Sequence, residues 1–108
     1  MGMNPYKRFI NPDPVIARFN VSDAINNKSY QKIVKDVWKA DASKKKIAAV
    51  ALVINSPGGH AVTCDLMANR VKAFAKKHQV PYYTFAEDLA ASAGYWILCT
   101  GDRVYANK

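Results

Sequence analysis

Cysteine is scarce in this chain, and a long apolar run is missing altogether. Two cysteines, Cys64 and Cys99, are too few for a disulfide framework or for a structural zinc site. Because both have apolar neighbours, we expect buried, reduced thiols, and we expect neither a metal nor another cofactor. No apolar stretch approaches the roughly 20 residues of a transmembrane helix, and residues 1–11 lack the apolar segment of a secretory signal.

Acidic residues are also few, since 8 of them stand against 16 lysines and arginines and give a net charge of +8. Such a balance suits nucleic acid, anionic lipid or a large assembly. The lysines are spread over separate runs at 28–39, 44–46 and 76–77, however, which is typical of solvated helix faces and turns. No nucleic-acid-binding module is present, so we expect no nucleic-acid partner. The first eleven residues contain no acidic side chain, which is compatible with a mitochondrial location, but the sequence leaves the compartment open.

Half of the 108 residues are apolar, which is enough for the core of one small domain. Prolines at positions 5, 12 and 14 predict an extended basic arm over residues 1–14, followed by a domain over residues 15–108. Apolar patterning predicts strands at 15–21, 47–54, 80–86 and 103–106, and helices at 30–40, 62–77 and 90–99. This order, β-α-β-α-β-α-β, indicates an α/β fold with a parallel sheet and right-handed crossover helices.

The central strand is predicted most clearly, because residues 47–54 are apolar at all eight positions. A strand that is apolar on both faces is typical of a parallel sheet covered by helices, so we expect it to be the most buried strand. We expect Trp38 in the core or at an interface and His78 in an exposed turn. In the second helix, we expect four residues to face the core: Val62, Leu66, Ala73 and Phe74.

A turn with two glycines, Asn55-Ser56-Pro57-Gly58-Gly59, follows this strand directly. Ligands of open α/β sheets bind at the carboxyl ends of strands. Glycines there allow a sharp turn and leave N–H groups uncovered, and such groups can hold a developing oxyanion. Taken alone, the turn favours the simpler interpretation, a plain connection between strand and helix.

A second segment of small residues surrounds Ser92, in Asp88-Leu89-Ala90-Ala91-Ser92-Ala93-Gly94, after the next predicted strand. Small neighbours let a substrate backbone approach the hydroxyl, and a helix N-terminus stabilises negative charge. Taken alone, this segment favours the simpler interpretation, in which Ser92 is a helix cap with closely packed alanines beside it.

Together the two segments resemble the SppA/SohB branch of the ClpP/crotonase superfamily, the protease IV or signal peptide peptidase type of serine peptidase. The stretches 52–59, 71–83, 87–96 and 101–106 carry the resemblance, which runs from about Val15 to the end of the chain. Asp88 and the pair Tyr95-Trp96 favour this branch over ClpP itself, which shares the Ser-Pro-Gly-Gly turn. The resemblance implies the N-terminal part of the family domain, and therefore an incomplete fold.

The resemblance also implies an activity, that of a serine endopeptidase with a Ser–Lys dyad that cleaves membrane-derived or unfolded peptides. It places the nucleophile at Ser92 and the oxyanion donors at the backbone of Gly58, Gly59 and Ala93. The family lysine must be deprotonated, which requires a buried site that lowers its pKa.

That lysine is missing at the family positions. It lies downstream of the serine in single-domain members, but only Lys108 follows here, and it does not match. In double-length members the lysine takes the place of Arg103, and arginine stays protonated. Ala93 stands where the family usually has glycine, and His60, which we expect to face solvent, stands where a small residue is common.

These departures leave an alternative open, a catalytically inactive structural subunit of a larger complex. Family members form rings in which neighbours complete each site. We therefore expect a homo-oligomer or a larger complex in either case, with a peptide as the substrate of an active form. Membrane association would come through other segments or partners.

Overall fold

The structure is a computed structural model that describes residues 13–90, residue 97 and residues 100–106. In chain order its elements are β1 (Val15–Ser22), α1 (Asn27–Ala42), β2 (Ile47–Ser56), α2 (Ala61–Lys77), β3 (Tyr82–Ala90) and β4 (Arg103–Ala106). The strands form a parallel sheet in the order β1-β2-β3-β4. The predicted α/β fold with a parallel sheet is thereby confirmed.

Two predicted segments fall largely outside the described residues. The arm predicted over 1–14 is described only at positions 13 and 14, and of the helix predicted over 90–99 only Ala90 and Ile97 are described. Ile97 is helical, as predicted. Ala90 is the last residue of β3, so the prediction of helix at this position is wrong. The strand runs four residues further than its apolar pattern, because Ala90 still pairs with Ser56 of β2 after a register shift.

The middle of the core is β2, which lies between β1 and β3. Its side chains alternate between the two faces of the sheet, and on the face toward the helices Val50, Leu52 and Ile54 are completely buried. Among the described strands β2 is the most buried, as its uninterrupted apolar sequence predicts. Because β2 is central and buried, it fixes the position at which the following turn begins.

The first crossover helix, α1, begins at a reciprocal cap. The Asn26 side chain accepts a hydrogen bond from the Ser29 N–H (3.1 Å), and the Ser29 hydroxyl accepts one from the Asn26 N–H (2.8 Å). Ile33 and Val37 are the buried residues of the helix, whereas Trp38 is 70% exposed and does not enter the core. The expectation that Trp38 is a core residue is therefore wrong, and an interface role stays a prediction.

The second helix, α2, is rotated relative to the prediction. Val62, Leu66 and Ala73 are exposed, so the expectation that they face the core is wrong, whereas Phe74 is buried as expected. The α2 sequence has apolar residues on two faces of the helix. Only one of these faces packs on the sheet, and its residues recur at spacings of three and four. The buried residues of α2 are Cys64, Met67, Ala68, Val71, Phe74 and Ala75.

The sheet face away from α1 and α2 has no described helix packed against it. Ile16 on β1 is 65% exposed and Tyr105 on β4 is 46% exposed, and the Tyr105 ring stacks on Phe85 with centroids 5.0 Å apart. An open groove of about 550 Å³ lies on this face, with an ion pair between Arg18 and Glu87 (3.9 Å) beside it. The face is thus apolar over much of its area.

Candidate functional site at the carboxyl ends of β2 and β3

The sheet register brings the two candidate segments together. Ile54 pairs with Ala86, and after a register shift Ser56 pairs with Ala90, so two residues of β2 stand against four of β3. Such irregularities re-aim a chain at the end of a ladder. The Gly-Gly turn therefore starts beside Ala90, which comes two residues before Ser92 in the sequence. Ser92 and Ala93 themselves lie outside the described residues, and their roles stay predictions.

The loop that follows β1 holds the turn in place through three backbone hydrogen bonds. The Asp23 N–H donates to the Asn55 carbonyl (3.2 Å), and the Ile25 N–H donates to the Gly58 carbonyl (2.9 Å). The His60 N–H in turn donates to the Ile25 carbonyl (3.0 Å). Asp23, at φ 68°, lets the chain leave β1 in the direction that makes these bonds. The turn is consequently an ordered part of the fold.

Glycine is required at two places in the turn for different reasons. Gly58 has φ 105°, a conformation that side chains with a Cβ rarely adopt. Gly59 forms a parallel bridge with Ile25, and a Cβ at Gly59 would overlap the Ile25 carbonyl oxygen and lie 2.8 Å from the carbonyl carbon. The sequence explains the glycines by a sharp turn and uncovered N–H groups, whereas Gly59 is also required because the Ile25 backbone packs directly against it.

The Gly58 N–H, one of the predicted oxyanion donors, has a partner in this structure. It donates a hydrogen bond to the side-chain oxygen of Ser56 at 3.1 Å, and Ser56 is completely buried. Sequence reasoning missed Ser56 as a residue of the site. The signal was present, because a serine two residues before a glycine in a turn often accepts the backbone N–H in this way.

The two histidines lie in different environments. His60 is exposed at the start of α2 and makes no side-chain cap hydrogen bond, which confirms that it faces solvent. His78 is half-buried, its ring lies 4.5 Å from that of Phe74, and its Nε2 is 3.4 Å from the Asp41 carboxylate. The expectation of an exposed His78 is therefore wrong. A hydrogen bond from Lys77 lowers the pKa of Asp41. Because Asp41 belongs to α1 and Lys77 to α2, this contact connects the two helices.

Arg103 lies far from the turn along the sheet. It pairs with Tyr83, which pairs with Ala51 on the other side, and Ala51 comes five residues before Ser56. At about 3.3 Å per residue, this level is roughly 16 Å back from the carboxyl end of β2. A basic group at this position is therefore remote from the turn of the same chain. The permanent charge of arginine is a separate reason why Arg103 does not replace the family lysine.

The thiol of Cys64 is unsuited to nucleophilic catalysis. It is completely buried, and burial together with the nearby Asp65 carboxylate raises the pKa of its thiol to about 11. Only the thiolate is nucleophilic, and at pH 8 it is roughly a thousandth of the population at such a pKa.

We expect native Cys64 to resist iodoacetamide at pH 8 and to be alkylated readily once the protein is unfolded, because burial suppresses both the thiolate and access to it. Peptide mapping by mass spectrometry measures the modified fraction, and a Cys64→Ser variant identifies the peptide. Between pH 8 and pH 11 the native rate should rise. Alkylation of Cys64 at the same rate in the native and unfolded protein would contradict its burial.

Within the described part of the chain, no group of three or more histidines, cysteines or acidic residues is placed to hold a metal ion. Nor is any helix of residues 13–90 of the length and apolar character needed to cross a membrane. The described residues offer a turn, buried at Ser56 and Gly58, whose backbone N–H groups lie next to the strand leading to Ser92.

Comparisons with known proteins agree with this geometry. A family model described as Clp protease matches residues 6–106. A candidate protease of Methanocaldococcus jannaschii is 34% identical over 79 residues, which make up 73% of this chain and 24% of the relative. The chloroplastic serine protease SPPA of Arabidopsis thaliana is 32% identical over 78 residues, or 72% of this chain and 11% of the relative.

A third relative has a name of a different kind. The Na(+)/H(+) antiporter NhaA of Brucella melitensis is 44% identical to this chain over 63 residues, which make up 58% of this chain and 9% of the antiporter. In all three relatives, the matched segment is less than a quarter of the protein. The similarity therefore concerns one part of each relative.

Proposed function

The chain belongs to the Clp protease family, in its SppA-like branch, and from this premise we propose that it carries the nucleophile part of a serine endopeptidase site. The observation that supports the proposal most directly is the pairing of Ser56 with Ala90. It brings the Gly-Gly turn beside the strand that leads, two residues later, to Ser92. The proposed substrates are unfolded or membrane-derived peptides.

In this proposal the Ser92 hydroxyl attacks the scissile carbonyl, and backbone N–H groups of Gly58, Gly59 and Ala93 receive the oxyanion. Donors fixed in advance contribute strongly, since removal of one typically slows such reactions by about 10²–10³-fold. The hydrogen bonds that Ile25 makes with Gly58 and with His60 supply that rigidity. The buried position of Gly58 strengthens any hydrogen bond made there.

The base in the proposal is a neutral lysine supplied by sequence beyond residue 108 or by a neighbouring subunit. The remoteness of Arg103 from the turn supports a base from elsewhere. Apolar side chains left exposed support an oligomer or larger complex, since extended apolar surface marks interaction sites. They include Ile16 on the sheet face and Val62 and Leu66 on α2.

The test is covalent labelling with a fluorophosphonate probe, applied to the protein in its native assembly. We expect labelling at Ser92, mapped by mass spectrometry, and its complete loss in a Ser92→Ala variant, because the hydroxyl forms the bond to phosphorus. Ser43→Ala, which removes an exposed hydroxyl at the end of α1, should label like the wild type. Absence of labelling in the intact wild-type assembly would refute the peptidase proposal.

One observation favours a second candidate, a structural subunit that has kept the fold and lost the chemistry. The Gly58 N–H is occupied by Ser56 rather than left open. This candidate predicts an assembly that forms normally with no labelling of Ser92. The same experiment therefore separates the two functions.

A further inference from the structure

Both backbone polar groups of Gly58 are engaged, but by partners of different kinds. Its carbonyl accepts the Ile25 N–H at 2.9 Å, a bond between two backbones that are fixed by the fold. Its N–H donates to the Ser56 hydroxyl at 3.1 Å, and this partner rotates about a single side-chain bond. One bond fixes the orientation of the turn, whereas the other can be exchanged without moving the backbone.

We infer that Ser56 acts as an internal placeholder, whose hydroxyl oxygen occupies the Gly58 N–H while the site is empty and yields it when a substrate carbonyl arrives. The inference rests on the proposed function, because it concerns the oxyanion donor of that site. Ser56 is a positioning residue in this scheme, and it touches neither the scissile bond nor the base. No covalent bond changes at Ser56.

Burial explains why such a placeholder is needed. Gly58 and Ser56 are both buried, and a buried N–H without a partner is destabilising. The hydroxyl satisfies the N–H in the resting protein, so the turn keeps the φ of 105° at Gly58 and its bridge to Ile25. Substrate binding then exchanges one hydrogen-bond acceptor for another, and the backbone geometry is unchanged.

The exchange has a measurable cost for the reaction. Each productive encounter must break the hydrogen bond between Ser56 and Gly58, whose net worth corresponds to a factor of roughly two to ten in rate. Ser56→Ala removes this competition, so fluorophosphonate labelling of Ser92 in the native assembly should become about two- to tenfold faster. The same substitution leaves a buried N–H unpaired, so the urea midpoint of unfolding should fall.

These opposite signs distinguish a placeholder from a purely structural residue. If Ser56 only stabilises the turn, Ser56→Ala lowers both the labelling rate and the urea midpoint. The matched control is Thr84→Val, which removes the hydroxyl of another completely buried residue, on β3. We expect it to lower the midpoint and leave the labelling rate within about twofold of wild type, since Thr84 pairs with Leu52, four residues before Ser56 along β2.

Amide hydrogen exchange in the intact protein gives a second readout that does not depend on activity. The Gly58 amide should exchange at least tenfold faster in Ser56→Ala than in wild type, while the Ile25 amide, bonded to the Gly58 carbonyl, keeps its protection. A Gly58 amide that exchanges at the same rate in both proteins overturns the inference.

The outcomes separate this inference from the proposed function. Faster labelling and faster Gly58 exchange in Ser56→Ala support the placeholder. If the wild type is labelled and Ser56→Ala is labelled at the same rate or more slowly, the placeholder inference is overturned and the peptidase proposal stands. Absence of labelling in wild type and Ser56→Ala alike overturns the proposed function and, with it, the role of Ser56 in catalysis, whatever the exchange of Gly58 shows.

Discussion

A Gly59→Ala variant is expected to lose about 3 kcal/mol of its free energy of unfolding, enough to unfold a marginally stable domain. The added methyl group would overlap the Ile25 carbonyl oxygen and come within 2.9 Å of the Ile25 nitrogen. Both are backbone atoms, so no side-chain rotation relieves the overlap. The Ile25 segment must move, and its hydrogen bonds to Gly58 and His60 must be lost. Urea unfolding followed by circular dichroism measures the difference.

The matched control for this prediction is Gly101→Ala. There two of the three nearest atoms belong to the Thr84 side chain, whose hydroxyl oxygen is 2.5 Å from the added methyl group, and a single backbone atom, the Arg103 carbonyl oxygen, is 2.9 Å away, whereas all three nearest atoms at Gly59 are backbone atoms. We expect a smaller loss of stability, partly recovered when Thr84→Ala is added. A Gly59→Ala protein with the wild-type urea midpoint would show that the loop after β1 does not pack on the turn as described.

A Leu52→Ala variant is expected to lose about 2–5 kcal/mol, because it opens a cavity in the middle of the core. Leu52 is completely buried in β2, where Phe19 and Thr84 are its register partners on the two neighbouring strands. The neighbours on both sides are held by the sheet, so the cavity collapses little. The urea midpoint should fall with an unchanged slope, since the unfolded chain exposes nearly the same surface.

Ile16→Ala is the control on the opposite face of the sheet. Ile16 is 65% exposed, so its truncation in an isolated chain should change the free energy of unfolding by about 0.5 kcal/mol or less. A large loss of stability in the native assembly, together with a small one in the isolated chain, would indicate that a neighbouring surface covers this face. Equal and small effects of Leu52→Ala and Ile16→Ala would contradict the described core.

Most of the architecture follows from local patterns of residues. The uninterrupted apolar run 47–54 identified a central strand, and β2 lies between β1 and β3 with Val50, Leu52 and Ile54 completely buried on the face toward the helices. The cap at Asn26 could be recognised because asparagine and serine bond the free N–H groups at a helix start. The resemblance of residues 52–59 and 87–96 indicated the family.

The sequence was ambiguous where two faces of a helix were equally apolar or where a strand continued beyond its apolar pattern. The rotation of α2 could not be read from its residues, because Val62 and Leu66 are as apolar as Met67 and Val71, and only packing on the sheet distinguishes them. The extension of β3 to Ala90 escaped prediction because hydrogen bonds to β2, which no local pattern records, hold it in the ladder.

By itself, then, the sequence determined the order of strands and helices, the central place of β2 and the family, because each of these depends on neighbours along the chain. Tertiary structure alone decided the rest. It set the Gly-Gly turn beside Ala90, placed Arg103 at the level of Ala51, and pressed Ile25 against Gly59. It also fixed the orientation of that turn, because Ile25, distant in sequence, donates a hydrogen bond to the Gly58 carbonyl.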